Sequence, residues 1–149
     1  MYDQILLATD GTVSSQNAES HAIDLAQEHS ATLHVLFVVD EGIYTAYSGD
    51  EYVDEAEGPE HGLKELGEES VEHVRSTAKD AEVEIIKAIE HGDPVEAILD
   101  YGDRKNIDMV VLGTKHRPAE YRALLGSVTD RVLRLTTRPT VVIKTEVEE

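Results

Sequence analysis

The chain has 149 residues, with 13 Lys plus Arg against 31 Asp plus Glu and a formal net charge of −18. That length suits one compact domain spanning 1–149, and a surface so acidic repels nucleic acid and anionic membranes. There is no cysteine, which excludes disulfides, thiolate metal sites and thiol redox chemistry.

The acid is spread along the chain rather than gathered in one tail, the pattern of a solvated face. In a cytoplasm of very high salt the Debye length falls to about 3 Å and repulsion among carboxylates is screened, so a halophilic source is expected. The opening "MYDQILLATDG" carries no basic n-region, and no apolar stretch approaches the roughly 18 residues of a membrane span. A cytoplasmic protein without a membrane role is the expectation.

Apolar, β-branched runs at 5–9, 33–39, 83–89, 107–113 and 140–144 each read as a buried strand. After the first run, Ala18, Ala22, Leu25 and Ala26 form a helical stripe with Ser14 as its cap. Segment 41–62, "EGIYTAYSGDEYVDEAEGPEHG", has neither a sustained period of 3.6 nor of 2 and reads as a long acidic mobile loop with room for a short helix, either a plain linker or a ligand lid or partner surface. Leu63, Leu66, Val74 and Ala78 resume a helical stripe. In "DPVEAIL" Asp93 caps, Pro94 takes the first helical position and Glu96 completes a capping box, for a helix carrying Ile98 and Leu99. "GSVTDRVLRL" predicts a last helix capped by Ser127.

This alternation predicts an α/β fold: five parallel strands with helices on both faces and right-handed crossovers. Ligands of such sheets bind beyond the carboxyl ends of the strands, where the strand order reverses. Asp10-Gly11 follows the first strand. Its carboxylate can accept from ribose hydroxyls or face a metal held by phosphates, or simply open the turn before the helix.

The stretch "GTKHRPAEYRALLGSV", residues 113–128, follows the fourth strand in the same way. Gly113 lets the backbone leave the sheet, while Gly126 and Ser127 can offer N–H groups and a hydroxyl to phosphate oxygens at a helix N-terminus. Lys115, His116 and Arg117 concentrate positive charge that would hold an anion, or they are solvated cations paired with nearby acids. The other histidines, 21, 29, 34, 61, 73 and 91, lack metal-ligand spacing and read as packing or solvated side chains. No G-x-S-x-G elbow and no P-loop is present.

The spacing of Gly113, position 116, Gly126 and Ser127 resembles the universal stress protein signature: glycine, two residues, glycine, nine residues, then glycine with serine or threonine. "ILLATDG", "HVLFVVDE", "LLGSVTDRVLR" and "RPTVVIK" extend the likeness over the whole chain except 41–62. The resemblance implies a Rossmann-like domain, related to the adenine nucleotide alpha hydrolases, that forms a homodimer through the last strand, 140–144. It implies ATP with Mg²⁺ as cofactor, since some members bind ATP and others do not. Carried over by position, Ala8, Thr9 and Asp10 flank the nucleoside and Val38 meets the adenine through its backbone. Gly113, Thr114, Gly126, Ser127, Val128 and Thr129 hold ribose and phosphates, with Lys115, His116 and Arg117 beside them.

One residue departs from the pattern. His116 stands where ATP-binding members have glycine, and a side chain there obstructs close approach of phosphates or strains the loop. Two functions follow: a nucleotide-responsive stress module with at most slow hydrolysis, since no base or arginine finger is evident, or a chaperone-like interaction protein of the same fold that has lost nucleotide. The apolar edge "PTVVIK" argues for dimerisation on its own, because an uncovered edge strand invites pairing.

Overall fold

The computed structural model describes residues 1–9, 13–40, 59–116 and 127–146. The elements run β1 Gln4–Thr9, α1 Val13–His29, β2 Thr32–Asp40, α2 Pro59–Lys79, β3 Ile85–Gly92, α3 Pro94–Arg104, β4 Met109–His116, α4 Ser127–Leu135 and β5 Thr140–Glu146. The strands form one sheet in the order β3-β2-β1-β4-β5, with every neighbouring pair parallel. The five-stranded parallel α/β sheet read from the sequence is therefore present, with helices on both faces.

The alternation of side chains along β1 divides the core in two. Ile5 and Leu7, with Leu33, Val35, Phe37 and Val39 of β2, face α1 and α2 through Ala18, Ala22, Ala26, Val71, Val74 and Ala78. Leu6 and Leu36 face the other way, with Val110 and Leu112 of β4, against Val95, Ile98 and Tyr101 of α3 and Val132 of α4. The alanine stripe of α1 lets that helix lie close over the centre of the sheet. Two contacts pin the sheet's N-terminal rim: the Asp108 carboxylate accepts from the backbone N–H groups of both Asp3 and Gln4, each at 2.9 Å.

Several expectations change in detail. Helix α2 starts at Pro59, so 59–62 belong to a helix rather than to the acidic loop; proline suits a first helical turn because its missing N–H has no partner to lose there. The rest of that loop, 41–58, lies outside the described residues. Helix α1 starts at Val13 and α4 at Ser127, so Ser14 and Ser127 lie inside the first turn and not at the cap. Asp93 does cap α3, accepting from the N–H groups of Val95 and Glu96 at 2.8 and 3.4 Å, with Pro94 following. The third and fourth strands each begin two residues later than their apolar runs.

Nor are all five strands buried. The strand order puts β3 and β5 at the edges; Ile86 of β3 is exposed, and Val141, Val142 and Ile143 of β5 are only half-buried. An edge strand has one neighbour, and its outer flank stays open.

Three helix ends share a geometry that no glycine announces. Ser30, Glu82 and Asn106 have φ of 53°, 58° and 53°. In each case the next residue's N–H returns to the carbonyl five positions back: Ala31 to Ala26 at 2.8 Å, Val83 to Ala78 at 3.4 Å, and Ile107 to Gly102 at 3.0 Å. This is the Schellman ending, which satisfies carbonyls left open by the last turn. All three lie on the rim where helices feed into strands.

Candidate functional site

At the opposite rim the two central strands part. Pairing of β1 with β4 runs from Ile5↔Met109 to Leu7↔Val111, whereas β1 stays paired with β2 as far as Thr9↔Phe37. On its other side β4 stays paired with β5 to His116↔Glu146. Gly113 was expected to release the backbone from the sheet. It instead lies within β4, opposite Ile143, because the ladder to β5 carries the strand three residues further. What β4 leaves at this level is β1, and the parting falls where the strand order reverses. Helix α1 packs over one face and α4 over the other, which makes this the switch point where sheets of this kind hold their ligand crevice.

The first turn of α4 is fixed to this crevice. Thr129, buried, donates its hydroxyl to the Gly113 carbonyl at 3.3 Å, which holds the start of the helix against the end of β4. On the far side Asn17 in the early part of α1 donates from Nδ2 to Thr145 Oγ1 of β5 at 3.1 Å. The negative charge in the first turn of α4, Asp130, is paired with Arg134 at 3.1 Å.

The structure brings together part of the predicted set. Ala8 at the end of β1, Val38 near the end of β2 and Val128 in the first turn of α4 all pack against the same core cluster, on one face and at one end of the sheet. Gly113 and Thr114 lie in the second half of β4. Thr9 lies on the opposite face: it is buried, and its hydroxyl is 3.4 Å from Glu19 Oε1. The backbones of Lys115 and His116 end β4 and that of Ser127 starts α4, but their side chains lie outside those described. Asp10, Arg117 and Gly126 lie outside the described residues altogether.

Sequence reasoning passed over Glu19. This carboxylate is 4 % exposed, lies on α1 between Thr9 and His73 of α2, and is 3.1 Å from His73 Nδ1. Burial raises its affinity for a proton above the ordinary carboxyl value, with His73 and the Thr9 hydroxyl opposing that rise. The signal was legible: Glu19, Ala22, Ile23 and Ala26 follow the i, i+3, i+4, i+7 spacing of a buried stripe, so an acid stands where the helix turns toward the sheet. The histidine read as a packing residue, His34, is 3 % exposed, and its ring nitrogens meet Tyr101 Oη and Gln4 Oε1. Among the described residues no cluster of His, Asp and Glu could hold a metal ion, and no helix is long and apolar enough to cross a membrane.

Residues 1–144 match the model of the universal stress protein family. The chain belongs to that family. A universal stress protein of Methanocaldococcus jannaschii is 31 % identical over 147 residues, covering 97 % of this chain and 83 % of the relative. Among solved structures, the hypothetical protein MJ0577 superposes with a TM-score of 0.74 at 24 % identity, covering 99 % of both chains. A universal stress protein in complex with cAMP superposes with a TM-score of 0.66 at 21 % identity, covering 96 % of this chain and 97 % of the other. As a universal stress protein, the chain carries the family fold from β1 to β5 with its switch point between β1 and β4.

Proposed function

We propose that this universal stress protein is a nucleotide-responsive stress module that binds ATP with Mg²⁺ in the crevice between β1 and β4. The observation that carries this reading is the parting of those strands beyond Leu7↔Val111 beneath the clamped first turn of α4. The chemistry fits the group. Ala8 of β1 and Gly113 of β4 are small residues on the two strands that part, and the start of α4 favours negative charge. Asp10 would accept from the ribose, the Val38 backbone would meet the base, and Gly113, Thr114, Gly126, Ser127 and Val128 would line ribose and phosphates. Thr129 would keep the helix start in place, with Lys115, His116 and Arg117 adding positive charge. Mg²⁺ would be held through the phosphates near Asp10. A structure of the same fold that holds cAMP supports an adenine nucleotide as the ligand class.

The half-exposed β5 edge supports a homodimer paired through 140–144, and the charge of −18 supports a halophilic cytoplasm as its setting. His116 in place of the signature glycine favours a second reading, a dimeric interaction or chaperone-like protein that takes no nucleotide. Titration calorimetry in molar KCl with Mg-ATP, AMP and inorganic phosphate separates the two. Saturable heat with ATP and AMP, and weaker heat with phosphate alone, is expected; no heat from any of the three leaves the interaction reading. Light scattering on the same sample should return twice the mass of the chain, and a monomer at micromolar concentration would remove the dimer.

A further inference from the structure

Glu19 takes no part in the nucleotide reading, yet the fold puts a carboxylate where a hydrocarbon would cost nothing. Its polar partners come from two elements, β1 and α2. Thr9 is the last described residue of β1, directly before Asp10, and its hydroxyl faces Glu19 Oε1 at 3.4 Å. His73 of α2 faces Oε2 at 3.1 Å. The hydrophobic cluster on this face of the sheet includes Phe37 and Val39 from β2, Val111 from β4, and Val141 and Ile143 from β5. Beyond them stand Thr145, bonded to Asn17, and the exposed Lys144. The side chain of Lys115 and the whole of Asp10 lie outside the described set. His73 itself is well exposed, its side chain at 61 %, so protons reach the pair from solvent.

We infer that Glu19 is a positioning residue for the ligand rim: its carboxylate fixes the end of β1 through Thr9 and, through His73, ties that strand end to α2.

As an ionised group Glu19 offers only acceptors, so it takes the Thr9 O–H on one oxygen and the His73 N–H on the other. Once protonated it carries a donor of its own, which must turn toward His73 or toward the Thr9 oxygen, and one of the two bonds reverses. The backbone that feels this change leads straight into Asp10. Helix α2 stands at the far side of the pair, so the same carboxylate joins the end of β1 to that helix.

The direction of the linkage follows from burial. Desolvation makes the folded chain bind the Glu19 proton more tightly than the unfolded chain does, above the ordinary value of 4.5. The ionised form therefore costs stability at pH above the raised value, and that cost disappears as the pH falls below 4.5. A carboxylate kept at such a cost is consistent with a task other than holding the fold together.

This inference rests on the nucleotide reading only for its functional consequence, and the test separates them. In uniformly labelled protein, the Glu19 side-chain carboxyl carbon and the Thr9 amide are followed by NMR from pH 8 to pH 4, alongside ATP affinity. The Thr9 amide should titrate with the midpoint of Glu19 and lose that transition in Glu19→Gln, which keeps the shape and removes the charge. Removing the opposing partner with His73→Gln, at an exposed position that should leave folding intact, should move the Glu19 midpoint further up. ATP affinity should weaken as Glu19 takes up its proton, and Glu19→Gln should show the weaker value throughout. Titration of ATP itself remains in the variant and is removed by the comparison. A Glu19 transition that leaves the Thr9 amide unmoved overturns the positioning role. A Thr9 amide that follows Glu19 in a protein that binds no ATP at any pH upholds the role and defeats the nucleotide reading.

Discussion

Replacing Tyr101 with alanine should cost about 3–5 kcal/mol of folding stability, and replacing it with phenylalanine about 1–3 kcal/mol, as measured by urea unfolding in high salt. The ring is 2 % exposed and fills the centre of the layer between α3 and the sheet. Its edge meets His34 at 5.5 Å between centroids, and the Arg104 guanidinium lies over it at 5.6 Å. Arg104 is itself held by Glu90 at 2.6 Å and Asp100 at 2.7 Å. The alanine variant loses all of this and leaves a cavity.

The phenylalanine variant isolates one hydrogen bond. Gln4 Oε1, 2.6 Å from His34 Nε2, can only accept, so Nε2 carries the ring proton and Nδ1 accepts from the Tyr101 hydroxyl at 2.8 Å. Without that hydroxyl a buried acceptor is stranded. A loss well under 1 kcal/mol would mean that another donor reaches Nδ1. The same network predicts a pH dependence. Burial, helped by the Lys105 charge, lowers the His34 proton affinity below the ordinary 6.5. The unfolded chain therefore binds a proton that the folded chain refuses, and this group's contribution, full above pH 6.5, declines as the pH falls toward the lowered value.

The second large effect concerns the whole surface. Raising KCl from 0.1 M to 1 M shortens the Debye length from about 10 Å to about 3 Å, and a chain of charge −18 should gain stability throughout that range. A melting-temperature increase of roughly 5–10 °C is expected, the response of a domain of this size to about 2 kcal/mol or slightly more. Local pairing does not remove the need for screening: Arg75–Glu72 and Arg134–Asp130 are solvent-exposed, and such pairs contribute at most about 1 kcal/mol each. Calorimetric scans at several KCl concentrations, compared with a neutral osmolyte of equal osmolality, read the effect. Identical melting in dilute and molar salt would end the halophilic interpretation.

The fold was legible because each buried strand carries its own signal. The 5–9 and 33–39 runs are apolar on both faces, as strands covered on both sides must be, and "DPVEAIL" announces α3 with a cap that the structure confirms. The edge strands were harder to place, since Ile85, Ile86 and Ile89 look as apolar as a central strand while Lys87 and His91 betray the open side. At the site, Ala8, Val38 and Val128 were named together only through the family resemblance, and the structure packs all three against one core cluster. Sequence reasoning missed Glu19 because an acid in a helix reads as solvated unless its phase in the apolar stripe is counted. It read Gly113 as a release point because glycine marks both strand exits and strand interiors, and only the partner strand decides between them.

The left-handed residues at Ser30, Glu82 and Asn106 separate two selective pressures in space. Each carries a side chain in a conformation that favours glycine, with asparagine the best tolerated of the three, so the corners that return each helix to the sheet retain slack. Those corners lie at the far end of the strands from the β1/β4 switch point, so substitutions there should change thermal stability and leave the parting of β1 and β4 as it is.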